Sequence, residues 1–377
     1  MPDGRTCSFL IPGDWHTPTG GFAYDRRLVR ALRAAGWAVD SHRLDADWPW
    51  PDTAAVAAAR ARIEALAEGT IVVADGLAFG ALPDLVQGQA WRLRWVALVH
   101  HPLHLESGLE VAVRERLRDS ETRALRFASQ VIVTSARSAH DVAALGVETE
   151  RIAVVEPGTD AVPAHLTPAA TRTRHTRDPL RLLCVATLTP RKGHAVLLQA
   201  LAGLVGRGRS GIHGGADGTA GAGHDGDWEL HCVGSATREP HTAARLHAMS
   251  EAPALAGRVV WHGEVDAAAL QAHYAAADLF VLPSLHEGYG MAVAEALAWG
   301  LPVVSSDAGA LVDTVPPGAG LRVPVGDAAA LGDALAALIV DPALRARLAA
   351  GAHAAAQRLP SWERQAARFG AVLEGLA

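Results

Sequence analysis

Short apolar runs alternate with helix-period segments along the whole chain. Ser8–Pro12, Ile71–Ala74, Trp95–Val99, Val131–Thr134 and Ile152–Val155 read as strands in the first half. Leu180–Ala186, Glu229–Val233, Arg258–Trp261, Leu279–Leu282 and Pro302–Ser305 read as strands in the second. Helical patterns lie between them, such as Tyr24–Ala35, which closes on Gly36 as a helix stop. Regular β–α alternation predicts parallel sheets with helices on both faces, an α/β fold.

The pattern breaks once near the middle. Glu156-Pro-Gly-Thr-Asp160 ends the first series, and Ala161–Pro179 has no period and reads as a linker. Each side is long enough for its own doubly wound domain, one over residues 1–165 and one over 178–360. The tail Ser361–Leu376 is an amphipathic helix pattern with Trp362, Phe369, Val372 and Leu373 on its apolar side. Gly206–Asp227, dominated by Gly, Ala, Asp and His, reads as a low-complexity surface insertion.

Composition narrows the function classes. With 377 residues, 50% hydrophobic and 20% charged, the chain has the make-up of a soluble two-domain protein. A net charge of −6 argues against a nucleic-acid surface. Cys7, Cys184 and Cys232 fall in apolar strand-like segments without metal-site spacing, so they read as buried thiols in a reducing compartment. The start of the chain has no apolar signal core, and no run is long enough to span a bilayer. The expected location is cytoplasmic. The Arg-rich stretch Arg114–Arg126 reads either as a solvated helix or as a peripheral membrane contact.

The densest chemistry lies in Pro283-Ser-Leu-His-Glu-Gly-Tyr-Gly-Met-Ala-Val-Ala-Glu295, a strand end, a glycine loop and a helix start. The first N–H groups of a helix have no intrahelical partner and attract anions. Glu287 and Glu295 would repel a phosphate there, but a carboxylate accepts both protons of a vicinal diol. An anion site flanked by diol-binding carboxylates describes a nucleotide-sugar pocket. The turn Thr187-Leu-Thr-Pro-Arg-Lys-Gly193 adds Arg191 and Lys192, which would neutralise a diphosphate leaving group. The bland alternative is a solvated basic turn. Gly20 and Gly21, after the first strand, either let a ligand approach the backbone or only make a tight turn. In Val99-His-His-Pro-Leu-His104, His100 or His101 could reach a donor sugar, and His100 and His104 also suit structural roles. Pro102 argues against a metal shared by His101 and His104. Two look-alikes are set aside. Gly206-Arg-Gly-Arg-Ser-Gly211 spells a dinucleotide fingerprint but follows a helix, and Asp45-Ala-Asp47 reads as surface acid.

Glu287-Gly-Tyr-Gly-Met-x-x-x-Glu295 resembles the signature of retaining glycosyltransferase family 4, also called glycosyltransferase group 1. The likeness continues through Ala296–Val304 and back through Tyr274–Ser284. It implies a GT-B architecture, with two Rossmann-like domains facing a cleft and a last helix, residues 361–377, crossing back to the first domain. The first domain would hold a glycan, lipid-linked or small-molecule acceptor, and the second the nucleotide-sugar donor. By position, Glu295 would bind ribose, Glu287 the donor sugar and Lys192 the diphosphate. The amides of Gly288, Tyr289, Gly290 and Met291 would cover sugar and phosphate, and one of His100 and His101 would lie near the sugar. The resemblance implies no metal and no cofactor beyond the donor. One departure stands out: where the family carries Gly-Arg-Leu, this chain has Ala186-Thr-Leu188, so Thr187 replaces the arginine and Arg191 is the nearest substitute.

Two rival functions remain at this level. One is a glycoside hydrolase using Glu287 and Glu295 as its carboxylate pair. The other is a non-catalytic nucleotide-sugar-binding protein.

Overall fold

A computed structural model describes residues 5–45, 47–163, 179–210 and 228–376. The chain divides into two compact units, residues 1–159 with 360–377, and residues 160–359. Each is built on a six-stranded, all-parallel sheet.

In the first unit the strands are β1 (Thr6–Pro12), β2 (Ala38–Leu44), β3 (Ile71–Asp75), β4 (Arg94–Val99), β5 (Gln130–Val133) and β6 (Ile152–Val154). Their order is β2-β1-β3-β4-β5-β6. All five residues of β3 are buried, as expected for a strand covered on both faces. β2 lies at the edge and alternates in exposure, which is why Val39 and Leu44 within Ala38–Leu44 give no continuous apolar run in the sequence. The helix Gly20–Ala34 ends ahead of Gly36, whose φ of 90° is a left-handed stop.

The helix Trp362–Glu374 belongs to this first unit, capped by Ser361, whose hydroxyl accepts from Arg364 N–H. It buries Trp362, Ala366, Phe369 and Leu373, an i, i+4, i+7, i+11 stripe. The chain re-enters through Thr159 N–H donating to Pro360 O at 2.8 Å, and a Cβ on Gly158 would collide with Trp362.

The second unit carries β7 (Leu180–Val185), β8 (Trp228–Val233), β9 (Val259–Gly263), β10 (Leu279–Leu282), β11 (Val303–Ser306) and β12 (Gly320–Val323), in the order β12-β11-β10-β7-β8-β9. Its core gathers Leu182, Leu230, Phe280, Val304, Leu335 and their neighbours around these strands. Cys184 and Cys232 sit opposite each other on β7 and β8, and all three cysteines are buried and free.

The structure departs from the sequence expectations in two places. The edge strands β2 and β12 are not legible as apolar runs. The helix opening at His194 continues to Ser210, so the first residues of the Gly206–Asp227 stretch are helical. The rest of that stretch, 211–227, and residues 164–178 of the linker lie outside the described residues. Among the described residues no helix is long and apolar enough to cross a membrane.

Candidate functional site

In the second unit the site is assembled at the carboxyl ends of β7 and β10. β7 runs into a tight turn, Pro190–Lys192, that ends on Gly193 with φ of 70°. A Cβ on Gly193 would overlap Pro283 O, so only glycine lets this turn close on the end of β10. The closure is locked by Leu285 N–H donating to Arg191 O at 2.7 Å. Lys192 is thereby brought from about a hundred residues upstream onto Glu287.

Glu287 is 5% exposed. Its Oε1 accepts from Lys192 Nζ at 2.6 Å and from Ser284 Oγ at 2.7 Å, and its Oε2 lies 3.8 Å from Arg191 Nη1. Burial alone would raise its pKa. The charges of Lys192 and Arg191, with the Lys192 and Ser284 hydrogen bonds, outweigh burial and pull it down to about 2. The backbone holds it too: Ala310 N–H donates to Glu287 O at 2.9 Å, and Gly309, with φ of 56°, leaves no room there for a side chain. Ser284 O in turn accepts a hydrogen bond from the Ser306 hydroxyl.

The glycine loop leads into the helix Met291–Ala298. Its cap is Gly290, φ 90°, where a Cβ would strike Leu311. Tyr289 O is held by the Thr314 hydroxyl at 2.7 Å. The cap offers no side chain to the first amides of the helix, which leaves the N-terminal dipole end to a ligand or to water. Glu295 follows one turn on and is half-buried. Its Oε2 accepts from the Tyr274 hydroxyl at 2.9 Å. Tyr274 is 2% exposed and stacks on Trp299 and Phe280. Burial, then the Glu295 charge, keep its hydroxyl protonated by raising its pKa well above the usual value, so it remains a donor.

A second cluster lies in the first unit. His100 Nε2 is 3.2 Å from Asp25 Oδ1 and 3.3 Å from Asp75 Oδ2, and both aspartates are almost fully buried. Burial would lower the His100 pKa, but the two carboxylates raise it to about 10. Burial raises Asp25 to about 7 against the pull of His100. Asp75 Oδ1 also accepts from Leu77 N–H at 2.7 Å, capping the short helix Gly76–Ala81. Gly21 opens the helix Gly20–Ala34 beside this cluster, and a Cβ there would lie 3.2 Å from His100 Cδ2. Gly21 thus gives the imidazole its space, whereas a Cβ on Gly20 would meet nothing within 4 Å.

Lys192, Arg191, Glu287 and the Gly288–Met291 loop share one locus, with Glu295 one turn further along. The cations do not point away from the carboxylate: Lys192 pairs with Glu287, and Arg191 donates to His286 O at 3.0 Å. Thr187 lies half-buried at the carboxyl end of β7, in the same connection as Arg191. His101 pairs with Glu106 at 3.3 Å and His104 faces Glu121 at 3.8 Å, so each has a carboxylate neighbour of its own. Asp45 is an exposed ion-pair partner of Arg43. Sequence reasoning passed over Ser284, Tyr274, Asp25 and Asp75. Asp75 had a signal, an acid directly after an unbroken buried strand; Asp25 had none, since it lies inside a helix pattern.

The fold is that of a GT-B protein, with the Lys192–Glu287–Ser284 network in its second unit. Solved structures of the same fold include the sucrose-phosphate synthase (tll1590) of Thermosynechococcus elongatus, with a TM-score of 0.78, 22% identity and 99% of both chains covered. Another is Anabaena Alr3699/HepE in complex with UDP and glucose, with a TM-score of 0.70, 19% identity, 98% of this chain and 99% of that one. Residues 179–341 match the model of Glycosyl transferases group 1. The second unit is therefore a glycosyl transferases group 1 domain. The chain is 34% identical over 253 residues to the D-inositol 3-phosphate glycosyltransferase of Xylanimonas cellulosilytica, covering 64% of this chain and 55% of that protein. It is 35% identical over 191 residues to the phosphatidyl-myo-inositol mannosyltransferase of Mycobacterium leprae, covering 50% and 44%. The chain thus spans about half the length of the curated relatives it matches.

Proposed function

We propose that the protein is a glycosyltransferase that moves a sugar from a nucleoside-diphosphate sugar to a hydroxyl acceptor with retention of configuration. The observation that carries this reading is the buried Lys192–Glu287–Ser284 network beside the N-terminus of the helix Met291–Ala298. The network holds an ionised carboxylate and a cation a few ångströms apart, which suits a ligand with hydroxyls at one end and a diphosphate at the other.

In this reading Glu287 accepts from donor-sugar hydroxyls, and Lys192 turns part of its charge to the diphosphate. The amides of Gly288–Met291 take up the remaining phosphate charge. Glu295, oriented by Tyr274, accepts from the ribose diol. Arg191, four residues after Thr187, supplies the second positive charge. The acceptor oxygen bonds to the anomeric carbon as the bond to the phosphate oxygen breaks on the same face. The hydroxyl proton passes to the leaving phosphate. No protein nucleophile, metal or further cofactor takes part. Donor binding belongs to the second unit and acceptor binding to the first; Gly20 and Gly21 are further donor-binding candidates, and His100 or His101 is the candidate for the donor sugar. A glycan, a lipid-linked hydroxyl or a small polyol such as an inositol phosphate fits the acceptor class, in line with the names of the relatives.

The hydrolase reading fits less well. Glu287, pulled to about 2, would be confined to the nucleophile or base of such a pair, and its ion pair with Lys192 and the glycine loop would be left without a purpose.

A thermal-shift panel of nucleoside diphosphates and their sugars, followed by a transfer assay with anomer analysis, tests the proposal. One nucleotide series should stabilise the protein selectively, and the product should keep the donor's anomeric configuration. An inverted product, or release of sugar from a glycan without any nucleotide, overturns it. Binding of a nucleotide sugar with no turnover on any acceptor would instead establish a non-catalytic binder.

A further inference from the structure

Among the described residues, two groups of metal-type ligands place three donor atoms within 4.8 Å of one another. In the first, Asp25–Asp75–His100, the imidazole is already committed to ion pairs with both aspartates. The second is His231, His262 and His273, in the second unit, and it shares no residue with the Glu287–Lys192 network.

Local structure explains how three imidazoles meet. Alternation along β8 puts Glu229 and His231 on one face of the strand. His231 pairs with Val260 on β9, so alternation puts His262, two residues on, on the same face, at the register shift where Cys232 pairs with Trp261 but Val233 pairs with Gly263. His273 comes down from the helix Ala267–Ala276, which follows β9. The His231 and His262 rings stack with centroids 5.2 Å apart and planes at 10°, and His273 lies 4.2 Å from His262 and 6.4 Å from His231. His231 Nδ1 is 2.9 Å from His262 Nε2, while His231 Nε2 faces Glu229 Oε2 at 3.4 Å.

We propose that His231, His262 and His273 form a transition-metal site of the Zn2+ class, with one coordination position left for water or a small anion. Glu229 selects the tautomer: His231 donates its Nε2–H to the carboxylate and turns the Nδ1 lone pair toward His262. A ligating histidine whose other nitrogen is held by a carboxylate is the usual outer arrangement of a zinc site. Three neutral imidazoles suit Zn2+, Co2+, Ni2+ and Cu2+ and not the oxygen-seeking Mg2+ or Ca2+. Burial and the neighbouring imidazoles lower the pKa of His262, and burial with His231 and Arg181 lowers that of His273. For His231, burial is opposed by Glu229 and reinforced by Arg181, and the pKa is again lowered. Tetrahedral ligation at about 2.0–2.1 Å per nitrogen puts ligand nitrogens roughly 3.3 Å apart, so the His231 and His262 rings must open from their 2.9 Å contact and turn until both lone pairs converge on the metal. His262 moves its Nε2 proton to Nδ1 as it ligates, with no net proton released. A small cavity lined in part by Arg181, His231 and His273 adjoins the cluster, and Arg181 is a cation suited to an anionic fourth ligand. The metal would tie β8 and β9 to the helix that also presents Tyr274 to Glu295.

The test uses full-length, tag-free protein stripped with a chelator, then titrated with ZnCl2 by calorimetry and with CoCl2 by visible absorption. The wild type should bind one equivalent more than His262→Ala/His273→Ala, and only the wild type should show the intense bands of four-coordinate Co2+. Glu229→Gln should bind the same equivalent about 10–100-fold more weakly. Circular dichroism checks that the variants fold, and His273→Gln alone provides the comparison if the double variant does not. Equal Zn2+ stoichiometry in the wild type and the folded histidine variants overturns the proposal, as does a Co2+ spectrum unchanged by the histidine substitutions.

Discussion

Replacing Glu287 by glutamine removes one charge and almost no volume. The amide oxygen of the new side chain can still accept from Ser284, but Lys192 and Arg191, whose side chains are 19% and 16% exposed, lose the anion between them. The displacement of the Glu287 pKa from 4.5 to about 2 corresponds to roughly 3 kcal/mol of stability. Because the folded value is depressed, that contribution is complete above pH 4.5 and is lost as pH falls through about 2. Glu287→Gln should therefore cost about 3 kcal/mol near pH 7 but only about 1 kcal/mol near pH 3. Comparing wild type and variant at each pH removes the other carboxylates from the difference. Urea unfolding at about 25 °C, with a common m-value, reads both numbers. A cost below about 0.5 kcal/mol at pH 7, typical of exposed pairs, would refute the buried-network argument. So would a cost that does not shrink on acidification.

Three further outcomes follow from the geometry. Gly193→Ala must hold an alanine at φ 70° against Pro283 O, so it should destabilise by about 2 kcal/mol or more, read as a fall in Tm. Tyr274→Phe keeps the stacking on Trp299 and removes the hydroxyl that orients Glu295. It should cost about 1 kcal/mol in stability and weaken calorimetric binding of whichever nucleoside diphosphate stabilises the wild type most. His100→Gln should destabilise more at pH 6 than at pH 10. The raised His100 pKa gives stability that is complete below 6.5 and lost as pH rises through about 10; equal losses at both values would contradict the ion-pair assignment.

The chain pattern alone determined the two α/β halves, the position along the chain of nearly every buried strand, and the stretch around Glu287 and Glu295. These are local properties: a strand covered on both faces is a continuous apolar run, and a glycine loop before a helix keeps its meaning wherever it folds. The strand β2 was lost to the same logic, because an edge strand such as Ala38–Leu44 alternates and resembles a loop. The tertiary structure alone decided what the charged side chains do. Arg191 and Lys192 were legible as cations, but their pairing with Glu287 depends on Gly193 closing one β–α turn onto the end of a different strand, β10. Asp25, Asp75 and His100 come from three separate elements of the first unit, and His231, His262 and His273 from three of the second. Electrostatic partnership falls off over a few ångströms and takes no account of sequence separation. Sequence spacing therefore placed the groups on their elements, and only the packing of those elements set their partners and the pKa shifts that follow.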